Sequence, residues 1–384
     1  MKTKYPSMFG VLAALLLVAS FIIPTNLATP SPVEAGICKW DTVDMPGSVA
    51  ARSDILLASE PTKLAVGGDG ATILAIVNYL HPAIGILRPM LMASNMMGLM
   101  WSPTAYANLI NSPGANANTA YLFDVVIAPD NPAVWAVVTG QTAISPQEVW
   151  ITENAGGKWE RTRLVDATAA AGYLGPTTVG AIDISVDYGG QRDFAVGMRN
   201  GAGGANLAIF VLQSQGFTGW QLQLTPAVPV TFPGAAVNGD FFALKFSPTY
   251  AADGALAAVF TVTLPLGNAN IGTRYNIALR DIDTNTNTQW AFANNVEVCN
   301  PANAGTGVSP LAVELITADL ELPADFSGQA ASLRRAYIAT DSGAGVLADD
   351  GIFRMDSATV YMLMDTITDT FRRIATITYF GTYA

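Results

Sequence analysis

Histidine and cysteine are almost absent from this chain. Its 384 residues include one histidine, His81, and two cysteines, Cys38 and Cys299. A Ser-His-Asp triad needs a histidine base, and a structural zinc site needs several Cys or His ligands. The composition therefore excludes most histidine-based triads and every Cys/His zinc site, so we expect the protein to act without histidine chemistry.

Charge is also scarce. Charged residues make up 13% of the chain, against about 25% in an average soluble protein. The 30 acidic residues outnumber the 19 basic ones, which gives a net charge of −11. Nucleic-acid binding requires a basic surface that neutralises phosphates, so no nucleic-acid partner is expected. The 51% of apolar residues supplies a core and excludes general disorder.

The N-terminus has the layout of a secretory signal peptide. Lys2 and Lys4 precede an apolar run, Met8–Ile23, and Val33–Ala35 places small residues where a signal peptidase reads them. We predict a signal peptide over residues 1–35, a secreted or cell-envelope location, and no stable membrane insertion after cleavage. A retained membrane anchor is the alternative.

Export would place the two cysteines in an oxidising compartment. Cys38 and Cys299 lie 261 positions apart, so a disulfide between them would close a very long loop. Two unpaired thiols are the alternative to this possible disulfide.

Beyond residue 36 the chain consists of short apolar runs separated by Gly, Pro, Asn and Asp. Runs of this kind, rich in Val, Ile, Phe and Thr, indicate β-strands, and no long stretch keeps a helical period. An apolar strand, a turn and a second apolar strand recur as a unit. The copies span Leu64–Val77, Val125–Val138, Ile182–Val196, Leu244–Phe260 and Val313–Ala339. The chain is predicted to be all-β.

A second repeated phrase ends in tryptophan. Thr152, Asn154, Gly156 and Trp159 fit the Asp-box pattern Ser/Thr-x-Asp-x-Gly-x-x-Trp, with Asn in place of Asp. Degenerate copies keep Ser94, Gly98 and Trp101 in the first, Trp220 in the second, and Asn285 and Trp290 in the third. The tryptophans are 58, 61 and 70 residues apart. A unit of roughly 60 residues holding about four strands is typical of a propeller blade.

On these residues the chain resembles the Asp-box (BNR-repeat) β-propellers, which include sialidases, sortilin-type receptor domains and photosystem II assembly-factor propellers. The resemblance covers most of residues 60–384. It implies that the Asp-box residues are structural, with a polar side chain that satisfies turn amides and a tryptophan that packs between strands. We predict a β-propeller over residues 36–384 with about five four-stranded blades. The last stretch of the chain resembles the first strand of another unit, which favours a chain that is part of a longer ring. The alternative is that N-terminal strands near Trp40 close the ring.

The resemblance raises an enzymatic hypothesis that the residues do not support. Sialidase-like catalysis would need three arginines on the substrate carboxylate, a Tyr–Glu nucleophile pair and an Asp acid. Arginines are available, but the Arg-Ile-Pro signature is missing and no Tyr/Glu combination can be assigned. The candidates are Arg52, Arg88, Arg192 and Arg274. No Gly-x-Ser-x-Gly elbow is present either, so no catalytic residue is assigned and the protein is predicted not to be an enzyme.

Two acidic pairs could bind Ca²⁺ on loops: Asp349 with Asp350, and Asp281 with Asp283. Neither follows the spacing of an EF-hand, and turn-forming Asp residues explain both. The glycine-rich stretch at 201–204 lacks the Lys-Ser/Thr of a phosphate-binding loop. No metal or cofactor is predicted.

The segment 84–101 contains five methionines: Met90, Met92, Met96, Met97 and Met100. It is interrupted too often to span a bilayer. The simpler interpretation is a strand pair whose methionines fill the blade core, and the alternative is an apolar loop that docks a partner.

The sequence therefore predicts an exported, non-catalytic propeller that acts as a cell-envelope or extracellular binding or structural module. Its partner would be an unknown protein or glycan at the cell surface. One alternative is a divergent, sialidase-like secreted glycoside hydrolase. Another is an assembly factor for a membrane complex, although basic residues cluster only at Arg334–Arg335 and Arg372–Arg373.

Overall fold

The structure is a computed structural model in which part of the chain is described. The described residues are 61–80, 87–140, 146–171, 178–199, 208–214, 219–223, 239–261, 273–284, 286–292, 295–298, 315–341, 351–365 and 376–378. The predicted signal peptide, both cysteines, His81, Asn285 and the acidic pair at 349–350 lie outside them. The described residues all belong to one compact unit, 44–384.

Five antiparallel sheets follow one another along the chain. The first contains β1 (Pro61–Val66), β2 (Ile73–Leu80) and β3 (Leu87–Ser94). The second contains β4 (Leu122–Ala128), β5 (Asn131–Thr139), β6 (Glu148–Thr152) and β7 (Glu160–Arg161). The third contains β8 (Val179–Ile184), β9 (Asp193–Met198), β10 (Ile209–Gln213) and β11 (Gln221–Leu222).

The last two sheets repeat this plan. The fourth contains β12 (Phe241–Phe246), β13 (Ala255–Thr261), β14 (Thr273–Asp281) and β15 (Thr286–Trp290), and β16 (Val296–Glu297) also pairs with β14. The fifth contains β17 (Thr317–Glu321), β18 (Arg335–Asp341), β19 (Gly351–Asp356) and β20 (Thr359–Asp365). In the first sheet, Ser102 adds a single bridge to Ala93 beyond β3.

The five sheets form the blades of a β-propeller. The first strand of each blade contacts the first strand of the next, in the order β1, β4, β8, β12 and β17. The other strands of each blade pair outward in chain order. The first strands begin at residues 61, 122, 179, 241 and 317, so the repeat is about 60 residues. The predicted all-β propeller of four-stranded blades is confirmed, and the longer ring stays a prediction.

The core consists of layers between consecutive blades. In β9, Phe194 and Val196 belong to the layer between the second and third blades, whereas Ala195 belongs to the layer between the third and fourth. Successive side chains of a strand point to opposite faces of its sheet. A strand covered on both faces is apolar at every position, which explains the unbroken apolar runs in the sequence.

The helices among the described residues are short and lie in the connections between strands. They are α1 (Thr104–Ile110), α2 (Leu164–Ala170) and α3 (Tyr250–Asp253), with short 3-10 turns at Ala117–Ala120 and Ala331–Leu333. Within the described residues, no helix has the length and hydropathy that crossing a membrane requires.

Candidate functional site

The hairpin between β6 and β7 contains the best match to the Asp-box pattern. The Thr152 hydroxyl accepts a hydrogen bond from the Gly156 amide at 3.1 Å. The Asn154 side-chain oxygen accepts one from the Lys158 amide at 2.8 Å. Ala155 and Gly156 have positive φ angles of 54° and 78°. Trp159 is buried and donates from Nε1 to the Ala105 carbonyl at 2.9 Å.

The hairpin that follows β3 repeats this geometry with fewer polar groups. The Ser94 hydroxyl accepts from the Gly98 amide at 3.0 Å, and Met97 and Gly98 have φ angles of 55° and 83°. Trp101 packs against the core from a half-buried position. Trp290 is half-buried in β15. The contacts of the two hairpins lie at the end of the third strand of their blades, and the structural Asp-box role of the residues stays a prediction.

We expect Thr152→Ala to lower the free energy of unfolding by about 1–2 kcal/mol. The substitution leaves the buried Gly156 amide without its acceptor. Urea unfolding of the purified chain measures the change, and Thr152→Ser, which keeps the hydroxyl, is the matched control. A Thr152→Ala chain as stable as the wild type would contradict this role.

Each first strand carries at least one charged residue, and in β4, β8 and β12 this residue interrupts an otherwise largely apolar run. These residues are Lys63 in β1, Asp124 in β4, Asp183 in β8, Lys245 in β12, and Asp319 and Glu321 in β17. First strands lie at the centre of a propeller, so the fold draws charges from distant parts of the sequence towards its axis. We call Asp183, Lys245, Asp319 and Glu321 the inner-strand cluster.

Asp183 is the most buried carboxylate of the inner-strand cluster. Its side chain accepts a hydrogen bond from the Phe246 amide of the neighbouring blade at 2.7 Å, and the residue is 9% exposed. Burial raises the pKa of Asp183 to about 6, against the lowering effect of the Lys245 charge and of the Phe246 amide. A carboxyl with this pKa is partly protonated near neutral pH.

Lys245 links Asp183 to the next blade. Its ammonium lies 3.1 Å from Oε1 of Glu321. Burial by itself would lower the pKa of Lys245, but the charges of Asp183 and Glu321 raise it above its usual value. Burial also raises the pKa of Glu321, and the Lys245 charge opposes that shift. Lys245 therefore pairs directly with Glu321 and acts on Asp183 through its charge.

The other charged residues of the first strands, including Asp319 of the cluster, make different contacts. Lys63 pairs with Asp124 at 3.3 Å between the first and second blades. Asp319 accepts hydrogen bonds from the Thr376 hydroxyl and, at 3.0 Å, from the Ile377 amide. Asp183 and Glu321 are therefore the carboxyl groups that combine a central position with a raised pKa.

A pair of carboxyl groups in different environments can perform acid–base chemistry. The group with the raised pKa donates a proton to a leaving group, and the other stabilises positive charge, activates water or attacks. Glycoside hydrolysis uses such a pair. The inner-strand cluster can supply it from Asp183 and Glu321, with Lys245 holding charge on Glu321.

A second buried polar group joins the third and fourth blades. Asp193 and Arg280 form an ion pair at 3.3 Å, and both side chains are fully buried. The hydroxyls of Tyr188 and Tyr250 donate to the same carboxylate, and Arg280 Nε donates to the Tyr250 hydroxyl at 2.9 Å. Because neither side chain of the ion pair is exposed, the polar group around Asp193 and Arg280 connects the two blades and is not accessible to a substrate.

Three of the four arginines considered for a sialidase-like site are described, and each makes a different contact. Arg192 makes a two-pronged contact with Asp130. Arg274 pairs with Glu297 at 3.1 Å, and the Arg88 guanidinium lies 5.9 Å from the centre of the Tyr121 ring. Arg52 lies outside the described residues.

The acidic pair at 281 and 283 forms a turn. Asp281 accepts hydrogen bonds from the Asp283 amide at 3.0 Å and from the Thr284 amide at 3.2 Å. In the portion of the chain that the structure describes, no group of three or more His, Cys, Asp or Glu residues is arranged to hold a metal ion.

Comparison with known proteins gives similarity at the level of structure. No protein-family model matches the chain, and no curated protein matches it. A Fusarium graminearum α-L-arabinofuranosidase in complex with an iminosugar inhibitor is 11% identical, covers 78% of this chain and 78% of its own, and has a TM-score of 0.42. A Penicillium chrysogenum α-L-arabinanase complexed with arabinobiose is 10% identical, covers 79% and 80%, and also has a TM-score of 0.42. A thermostable family-43 glycoside hydrolase is 9% identical, covers 77% and 90%, and has a TM-score of 0.38.

These comparisons correct the prediction that the protein is not an enzyme. The similar structures are named as glycoside hydrolases, which contradicts that prediction, although similarity this low does not transfer their reactions to this chain. The error has a chemical source. The prediction was based on the residues of sialidases, whereas two carboxyl groups on first strands would need neither three arginines nor a Tyr–Glu pair.

The inner-strand cluster was missed at the sequence level although a signal was present. A single charged residue interrupts the apolar runs that become β4, β8 and β12: Asp124, Asp183 and Lys245. A charge within a run that is buried on both faces requires a partner or a function. Corresponding positions of the repeats therefore indicate Asp183 and Lys245 of the cluster, whereas Asp319 and Glu321 lie in a largely polar strand that carries no such signal.

Proposed function

We propose that this protein is an exported glycoside hydrolase whose catalytic carboxyl groups belong to the inner-strand cluster. Asp183 donates the proton to the departing oxygen of the sugar, and Glu321 supplies the second carboxyl group. Lys245 positions Glu321 through their ion pair. The observation that carries the proposal is the buried position of Asp183 on a first strand, where it accepts the Phe246 amide of the neighbouring blade and experiences the charges of the Lys245–Glu321 ion pair. Burial raises its pKa to about 6.

The assignment of roles follows from the surroundings of each group. Asp183 is the more buried of the two carboxyls. This burial outweighs the lowering effect of the Phe246 amide that the carboxylate accepts, so its proton is retained to a higher pH than that of an ordinary aspartate. Glu321 has an ammonium at 3.1 Å, and this contact favours its ionised form. A protonated carboxyl beside an ionised one is the starting state of glycoside hydrolysis.

Export is supported by the N-terminal signal pattern over residues 1–35. The substrate would then be a glycan outside the cytoplasm, which agrees with the expectation of a glycan partner. The similar solved structures include enzymes crystallised with sugar ligands, but the proposal rests on the cluster and not on that likeness.

A panel of fluorogenic glycosides, assayed from pH 4 to pH 8 with the wild-type chain, tests this proposal. We expect hydrolysis of at least one neutral glycoside, with a rate that falls as the pH rises through about 6 because Asp183 loses its proton. A chain that hydrolyses nothing in the panel, at any pH, would contradict the proposed function. Activity without a falling limb near pH 6 would exclude Asp183 as the acid.

A further inference from the structure

The hairpin after β3 carries apolar side chains that its backbone conformation does not require. Met97 donates its amide to the Ala71 carbonyl at 2.9 Å, as Ala155 does to the Ala133 carbonyl at 2.8 Å in the second blade. The positive φ angles of the two hairpins agree within 5° at both positions. The two hairpins are therefore the same turn with different side chains.

At four positions the first hairpin has a large apolar side chain where the second has a polar or small residue. Met96, Met97, Leu99 and Met100 of the first hairpin correspond to Asn154, Ala155, Gly157 and Lys158 of the second. We call these four residues the methionine tip. They are 47%, 65%, 69% and 66% exposed, respectively. Met90 and Met92 in the preceding strand are buried, so the segment contains both core methionines and solvent-exposed ones.

The methionine tip lies in a stretch without charge. No Asp, Glu, Lys or Arg occurs between Arg88 and Asp124, in a protein whose net charge is −11. Exposed apolar side chains continue at the same end of the blade: Val66 pairs with Ile73, which pairs with Ser94 at the base of the hairpin, and Val66 is itself exposed. Exposed apolar clusters of this kind mark interaction sites.

The area of the methionine tip and the charge around it distinguish between a second protein molecule and a lipid surface as its binding partner. A stable dimer buries roughly 800 Å² on each partner, which four side chains at the tip of one hairpin do not provide. An uncharged apolar projection fits the interfacial zone of a bilayer, where Met and Leu side chains leave water while the hairpin backbone stays at the headgroup level. Asp69, in the adjoining β1–β2 turn, and the net charge disfavour an anionic surface.

We propose that the methionine tip inserts reversibly into the interfacial zone of a lipid surface with zwitterionic headgroups. The inference is independent of the inner-strand cluster, since none of the cluster residues belongs to the first blade. It assigns the first blade a peripheral membrane contact that would hold the propeller against a lipid surface.

Vesicle sedimentation tests the proposal. The chain used begins at Gly36, so that the apolar run Met8–Ile23 cannot itself insert, and it contains every described residue. We expect the wild type to sediment with phosphatidylcholine vesicles, and Met97→Asn with Leu99→Gln to lower the partition coefficient at least tenfold. Asn tolerates the positive φ at position 97, so the turn is retained. Ala155→Asn, at the equivalent position of the other hairpin, is the matched control and should bind like the wild type.

Three outcomes would overturn the proposal. The first is a wild-type chain that stays in the supernatant at every lipid concentration, and the second is equal binding by the tip variant. The third is binding only when anionic lipid is added, since the net charge predicts no gain from it. Light scattering without vesicles is run in parallel, because a wild-type dimer that the tip variant abolishes would identify a self-association surface instead.

Discussion

Replacing Asp183 with asparagine is expected to lower glycoside turnover by about 10²–10⁴-fold, the range attributed to a positioned general acid. The asparagine amide fills the same space and can still accept from the Phe246 amide, but it cannot deliver a proton. The loss should be larger for an alkyl glycoside than for an aryl glycoside, because a phenolate leaves without much help from an acid. Comparison of kcat/KM for the two substrate types measures this difference.

The same substitution should stabilise the fold above pH 6. Burial raises the pKa of Asp183 from about 3.8 to about 6, so the folded state binds more protons than the unfolded state between these values. The contribution of this group is favourable below pH 3.8 and is lost as the pH rises through 6. An asparagine at this position removes that dependence, and we expect Asp183→Asn to exceed the wild type by about 2–3 kcal/mol at pH 7 and to equal it near pH 4.

Glu148 provides the matched control for this experiment. It is also a buried carboxylate whose pKa burial raises, but it lies in β6, where it accepts from the Leu164 amide at 2.6 Å and pairs with Arg161. Glu148→Gln should leave turnover unchanged. If Asp183→Asn remained fully active, or if both variants lost activity in proportion to lost stability, Asp183 would be a structural residue.

Replacing Arg280 with methionine is expected to cost about 3–5 kcal/mol of unfolding free energy, the range for breaking a buried ion pair. Neither Arg280 nor Asp193 has any exposed side-chain surface, so water cannot compensate the carboxylate that is left behind. The hydroxyls of Tyr188 and Tyr250 still donate to it, but they carry no charge. Denaturant unfolding at neutral pH measures the change.

Two further variants identify the cause of that loss. Arg280→Met combined with Asp193→Asn should recover part of the stability, because no isolated charge remains. Lys63→Met removes a partly exposed pair with Asp124 and should cost no more than about 1 kcal/mol. A loss in the Lys63 variant as large as in the Arg280 variant would show that pairing between blades, and not burial of charge, governs stability.

The class of fold could be predicted from local signals in the sequence. Apolar runs such as those of β5 and β13 are too short for helices and are broken by turn residues, and the spacing of Trp101, Trp159, Trp220 and Trp290 reports the length of the repeat. Both signals are local, because strand length and turn chemistry depend on neighbours in the chain. They are sufficient to predict blades but not which charges meet.

The side chains of the candidate site are brought together by packing between blades, which the sequence does not reveal. Asp183 meets the Phe246 amide across 63 positions, and Lys245 meets Glu321 across 76, since the packing of neighbouring blades sets these contacts. The same holds for the methionines: Met92 and Met97 are five positions apart, yet one is buried and the other exposed. Residue type and spacing do not distinguish the buried methionine from the exposed one, because burial depends on whether a neighbouring blade or solvent covers each position.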